Sequence, residues 1–197
     1  MYVEGSYYDR TVKRQPEYLK YNLTYDAYSL GAGAKYNFNK RSYIQFDIKN
    51  DNYDTNYLYT NEDGDNKVGD EVRQKRQHYY SGNLKSLFRF TENTRTIFGV
   101  EYIQETLDRP SFNVDERAYT WATYAQEEIT LFKNLQIQAG LRYVYHETAK
   151  SNVTPKLAVM YRLGDFTIRG QYSAGFRAPG LDELYKYSYS QRGTRAG

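Results

Sequence analysis

Arg142, His146, Arg169, Gln171 and Arg177 are side chains able to hold a small molecule. Arg142 and His146 lie an even number of positions apart, as do Arg169, Gln171 and Arg177. Even spacing places residues on one face of an extended chain. Guanidinium and amide groups donate hydrogen bonds in fixed directions, and imidazole can also ligate haem iron. This is chemistry for holding, not for reacting. The sequence contains no Ser-His-Asp spacing, no HExxH, no phosphate-binding loop and no GxGxxG. Its carboxylates are plentiful, but no two are marked as an acid–base pair, so no enzyme is expected. For His146 and His78 the plainer role is a hydrated or hydrogen-bonded side chain.

The acidic stretch "NEDGDNKVGDE", Asn61 to Glu71, raises the question of a metal. Asn61, Asp63 and Asp65 alternate like the first ligands of a calcium loop. Gly64 is out of place for one, and the twelfth position is Val72 rather than Glu. A hydrated loop is the expectation, with no metal and no other cofactor. The neighbouring basic run Arg73 to Gln77 is expected to pair with this loop or to meet anionic lipopolysaccharide.

The bulk numbers narrow the class. The chain has 197 residues, 24 of them Tyr, and 17% are aromatic. Mean hydropathy is nevertheless -0.89. Disordered chains are poor in aromatics, so an ordered fold is expected. No apolar run approaches the roughly 20 residues of a membrane helix. A net charge of +3, from 27 basic and 24 acidic residues, is too balanced to suggest nucleic acid. With no cysteine, disulfides and thiolate metal sites are excluded. The first ten residues do not have the layout of a signal peptide.

The elements that must position the donors are strands, because apolar residues recur with period two. Leu135, Ile137, Ala139, Leu141, Tyr143 and Tyr145 oppose Gln136, Gln138, Gly140, Arg142, Val144 and His146. Val153 to Leu163 and Phe166 to Arg177 repeat the pattern. In the last of these, Arg177 extends the polar series Thr167, Arg169, Gln171, Ser173. Tyr28 to Phe38, Ile44 to Ile48, and Tyr79 to Phe90 read likewise. Residues 2–12, 94–107 and 117–131 bring the total to about nine strands. Short turns at Asn39-Lys40, Thr91 to Asn93, Lys133-Asn134 and Gly164-Asp165 alternate with polar stretches at 13–21, 52–72, 108–116 and 148–152.

This pattern predicts an all-β fold: an antiparallel transmembrane β-barrel fragment of about nine strands, with short periplasmic turns and longer extracellular loops. Lipid offers no hydrogen bonds, so spanning strands must pair in a sheet. One face meets lipid and the other water, which gives low hydropathy with strong alternation. Tyr143 and Tyr145 fall where an interfacial girdle belongs. Two other readings fit part of the pattern: a soluble Tyr-rich β-sheet binding or interaction module, and a passive porin-like barrel.

Beyond the last strand stands "GFRAPGLDELY", Gly175 to Tyr185. Pro179 cannot donate to a ladder, so pairing should end near it. Leu181, Leu184 and Tyr185 have the spacing of one helical turn, with Asp182 and Glu183 at its start and Lys186 near its end. This turn either folds into the lumen or packs a strand end, pairing Arg177 with an acid. The motif residues Gly175, Phe176, Arg177, Ala178, Pro179, Leu181, Glu183, Leu184 and Tyr185 resemble a stretch of the TonB-dependent outer-membrane receptors. "YAQEEI" followed by "LQIQAGLRYVYHE", and "VTPKLAVMYRLGDFTIRGQYSAGFRAP", resemble that family's successive strands. The likeness is strongest over 117–185.

The resemblance implies a 22-stranded barrel filled by a plug domain. Such a protein sits in the outer membrane of a Gram-negative cell, in lipid and lipopolysaccharide. It takes up a scarce extracellular nutrient (siderophore, haem, cobalamin or glycan) with energy from the TonB complex. On this reading residues 1–197 are an incomplete barrel domain, with the plug, the remaining strands and the terminal aromatic residue absent. The fragment alone is not expected to transport. Arg142, His146, Arg169, Gln171 and Arg177 become candidate lumenal ligand contacts. Haem receptors of the family carry a His after the Arg-Ala-Pro stretch, and none follows Pro179 here.

Overall fold

The computed structural model describes residues 1–13 and 20–185. Nine strands form one sheet: β1 (Tyr2–Val12), β2 (Tyr21–Asn39), β3 (Ser42–Tyr59), β4 (Glu71–Phe88), β5 (Thr94–Arg109), β6 (Val114–Leu131), β7 (Leu135–His146), β8 (Lys150–Leu163) and β9 (Phe166–Ser173). Their order in the sheet is their order in the chain, and every pair is antiparallel. A 3₁₀ turn, Pro110–Phe112, caps the β5–β6 hairpin, and a helix α1, Leu181–Leu184, follows β9.

Antiparallel partners share a face, so the registers trace continuous rows across the wall. One row runs Ala34, Phe46, Leu84, Val100, Thr123, Tyr143, Val153. With its neighbours it makes an outer face on which Leu30, Ile48, Phe98, Trp121, Leu141, Leu157 and Ile168 are all exposed. In water this would be a large uncovered apolar area; in hydrocarbon it is the surface a spanning sheet requires. Glu127 is an exception on that face, its Oε2 accepting from the Thr96 hydroxyl at 2.5 Å. The opposite row through Arg142, Tyr124, Gly99, Lys85 and Gln45 is polar, as expected of a lumenal face.

The short turns lie along one edge as the sequence predicts. The connections along the other edge are shorter than expected. Within the polar stretches, 52–59, 71–72, 108–109, 114–116 and 150–152 are strand, leaving 60–70, 110–113 and 147–149 as connections. Beyond the membrane both faces of a hairpin meet water, so pairing continues without apolar alternation to mark it. Most of the stretch at 13–21, and Lys186, lie outside the described residues.

The last strand also ends earlier than its alternation suggests. The β8–β9 ladder stops at Lys156 opposite Ser173, one position short of Pro155. The Ala174 N–H donates to the Pro155 carbonyl at 3.0 Å. Pro155 has no N–H to return the bond, so the ladder loses its next rung. Phe176 and Arg177 therefore leave the sheet instead of extending its lipid and lumenal rows.

Candidate functional site

The released segment, residues 174–185, crosses to the lumenal face of other strands. Leu181 is 3% exposed and packs with Leu107, Val114 and Ala118, all lumenal residues of β5 and β6. From β9 to β6 is three strand spacings, about 14 Å. The segment is thus a strap inside the wall near the upper end of the β5–β6 hairpin. Leu107 is fully buried, and Phe112 and Tyr185 close the cluster.

Polar contacts fix the strap at both sides of that cluster. The Leu181 N–H donates to Glu105 Oε1 at 3.2 Å, and Tyr79 donates its hydroxyl proton to the same oxygen at 2.9 Å. Arg109 donates through Nη1 to the Tyr185 carbonyl at 3.1 Å and through Nη2 to Asp182. Lys75 reaches the same Asp182 oxygen at 3.4 Å. At the start of α1, Glu183 Oε2 accepts from the Gly180 N–H at 3.2 Å, and Glu183 Oε1 pairs with Arg177 at 2.7 Å. The Gly180 N–H, and then Arg177, hold the Glu183 carboxyl below its ordinary range. Gly180 has no side chain to return the bond, so only half of a capping box forms.

The five predicted donors are not one site. Arg142 donates to Glu101 Oε2 at 2.7 Å, its guanidinium 5.6 Å from the centre of the Tyr124 ring. Tyr124 can lie there because Gly99, opposite it, has no Cβ; one would run into the ring. Arg169 and Gln171 share a recess of about 380 Å³ with Glu128, Gln136, Gln138 and Met160. His146 is buried, and its Nδ1 accepts from the Thr148 and Ala149 N–H groups, both at 3.1 Å. It closes the β7–β8 turn. Arg177 is in the strap, its side chain 80% exposed.

His78 pairs with Asn52 and Thr106 on the outer face, where its ring stacks on Tyr80 at 6.2 Å. The basic run is part of β4 and finds partners other than the acidic loop. Arg76 holds Asp54 through Nε and Nη2, Arg73 meets Asp108 at 3.5 Å, and Lys75 meets Asp182. In the loop, Asp63 pairs with Lys20 at 2.9 Å, and Asp70 accepts from the Lys67 N–H. No group of three or more potential metal ligands occurs among the described residues.

Sequence reasoning missed Lys75, Tyr79, Glu105 and Arg109 as a set. Alternation does place all four on one face. Nothing local announces that a segment 73 positions after Arg109, and 107 after Lys75, will return to cover them.

The fold is that of a membrane β-barrel wall with an internal strap. The family model for TonB dependent receptor-like, beta-barrel proteins matches residues 2–197, and the chain belongs to that family. Among solved structures, the siderophore receptor PirA from Acinetobacter baumannii superposes with a TM-score of 0.63 at 16% identity. That match covers 81% of this chain and 26% of the other. PirA from Pseudomonas aeruginosa gives 0.53 at 16% identity, covering 91% of this chain and 42% of the other. No curated protein matches. The chain thus spans less than half the length of either receptor. Membership of this family of receptors, which are transporters and not enzymes, sets aside the porin and soluble-module readings. The family resides in the Gram-negative outer membrane, and its members work with a plug domain, TonB and a nutrient ligand.

Proposed function

We propose that this chain is part of the barrel of a receptor that imports a ferric siderophore across the outer membrane. The carrying observation is a lumenal wall bearing cationic and amide donors, with no imidazole open to a ligand among the described residues. Arg109 and Lys75 lie near the upper end, Arg142 beside Glu101, and Arg169 with Gln171 in the recess. Such donors suit an oxygen-rich anionic chelate. Haem fits less well, because His146 spends Nδ1 on its own turn and His78 is on the outer face. Cobalamin and glycans are the alternatives a ligand panel would reveal. The two siderophore receptors of similar fold support the choice.

On this reading the plug and further strands come from the rest of a longer protein. The outer face meets lipid, and the exposed upper hairpins meet lipopolysaccharide. TonB acts through the plug, so residues 1–197 alone do not transport. The test is ligand binding to the full-length receptor, followed by growth under iron limitation. Saturable binding of a ferric siderophore and growth dependent on the gene are expected. Haem or glycan binding with no siderophore response would overturn the siderophore assignment.

A further inference from the structure

Arg109 and Lys75 belong to the wall, and their side chains are 11% and 15% exposed. The acid that neutralises both, Asp182, is 43% exposed and sits on a four-residue helix. Two desolvated cations borne by the wall thus face one carboxylate of the strap, and Arg109 also holds the Tyr185 carbonyl there. Glu105 makes no ion pair with either cation among the described residues; its Oε1 accepts from Tyr79 and from the Leu181 N–H. Arg109 also keeps a donor in reserve: its Nε is buried and has no hydrogen-bond partner among the described residues. A buried cation that loses the acid paired with it is costly, so whatever removes Asp182 must replace its charge. A carboxylate arriving from the lumen satisfies that requirement, group for group.

We propose that Arg109 and Lys75 form a carboxylate-binding subsite of the upper lumen, which Asp182 fills until an acid of the ligand displaces it and lifts α1 from the wall. This rests on the reading of the lumen as a ligand path and adds a ligand chemistry and a coupled motion to it. The hydrophobic seat of Leu181 holds the strap down when no ligand acid is present. Binding and release of the strap are therefore linked, and the linkage is reciprocal.

The test uses citrate as the probe and the full-length receptor carrying this segment, in detergent at constant ionic strength set with chloride. Asp182→Asn removes the competitor and is expected to tighten citrate binding about tenfold, within the usual range of such couplings. Adding Arg109→Gln and Lys75→Gln to that variant is expected to abolish the gain. If the strap were only structural, D182N would bind citrate no better than the parent, and that result overturns the proposal. A second arm holds the strap down by a disulfide between Ala118→Cys and Leu181→Cys, in a segment that has no cysteine of its own. The oxidised form should lose citrate binding and regain it on reduction; equal binding in both forms overturns the proposal even where D182N does not fold. Inorganic phosphate should compete at least about tenfold less well than citrate, and equal competition refutes the carboxylate assignment. Siderophore binding that persists while every citrate arm fails sinks the subsite alone. Failure of all nutrient binding sinks the import reading instead.

Discussion

Glu183 shows how one exposed side chain sets the geometry of the strap. Its carboxylate bonds the Gly180 N–H and Arg177, which holds its protonation below the ordinary glutamate range. For an acid depressed in the folded state, the linked stability is present above the unfolded value. It is lost as pH falls through the folded one. The strap is therefore expected to stay seated at neutral pH and to loosen only below the ordinary carboxylate range. Hydrogen exchange at the Gly180 amide, followed from neutral to acidic pH, checks this; Glu183→Gln should remove much of the acid-dependent step. A step that survives the substitution unchanged would assign the loosening to another acid. Leu107 gives a second expectation at this scale. It is fully buried in the small cluster that seats Leu181, so Leu107→Ala should cost about 2–5 kcal/mol of local stability. Exchange should rise at Leu181 to Tyr185 while the β2–β3 ladder keeps its protection. A third concerns Gly99, where Tyr124 occupies the space a Cβ would need. Gly99→Val should push that ring away and with it the support of Arg142, lowering ligand affinity more than barrel stability.

Pro155 decides at the level of elements where wall ends and strap begins. Its carbonyl accepts from Ala174, but it cannot donate, and the ladder stops there. Pro155→Thr restores the donor and is expected to extend β9 by at least one rung. Slower exchange at the Phe176 amide, paired with faster exchange at Leu181 as the strap is drawn back, would show it. No change at either amide would mean that the seat under Leu181, and not the proline, sets the end of β9. The same stretch marks what a linear reading can see. Alternation made the lipid-facing rows legible because one face must be apolar, and Leu135 to His146 reads with its true bounds. It went silent at residues 52–59, 71–78 and 114–116, which are paired strand with polar residues on both faces. The donors were assigned to the lumenal face from parity alone, and the register joins Arg142, Arg169 and Gln171 on one face. Arg177 followed the same parity but lies beyond the last rung. The Arg109–Asp182 contact had no local sign at all.

The whole sheet carries a constraint that neither residues nor single strands show. Turns and longer connections alternate from edge to edge, so odd-numbered strands all run the same way. The outermost strands, β1 and β9, are both odd. Pairing them directly would be parallel, so antiparallel closure requires an odd number of further strands. Two copies inserted in the same direction meet the same obstacle, since each new seam would join two like-directed edges. The 22 strands that the family resemblance implies would leave 13, which satisfies the parity. Residues 1–197 alone are thus expected to form an open sheet with two unpaired edges and an exposed apolar outer face, prone to associate. Without detergent the chain should be recovered as aggregate, and in detergent it should show ion-channel conductance no greater than empty micelles reconstituted in a bilayer. Leu157→Arg separates membrane exposure from mere insolubility. At an outward position in the apolar band, a buried arginine should cost about 2–4 kcal/mol of folding stability in lipid, measured in the complete receptor. In a soluble sheet the same exposed position would accept arginine almost freely. A soluble, monomeric chain that unfolds cooperatively, together with a neutral L157R, would remove the membrane from this account altogether.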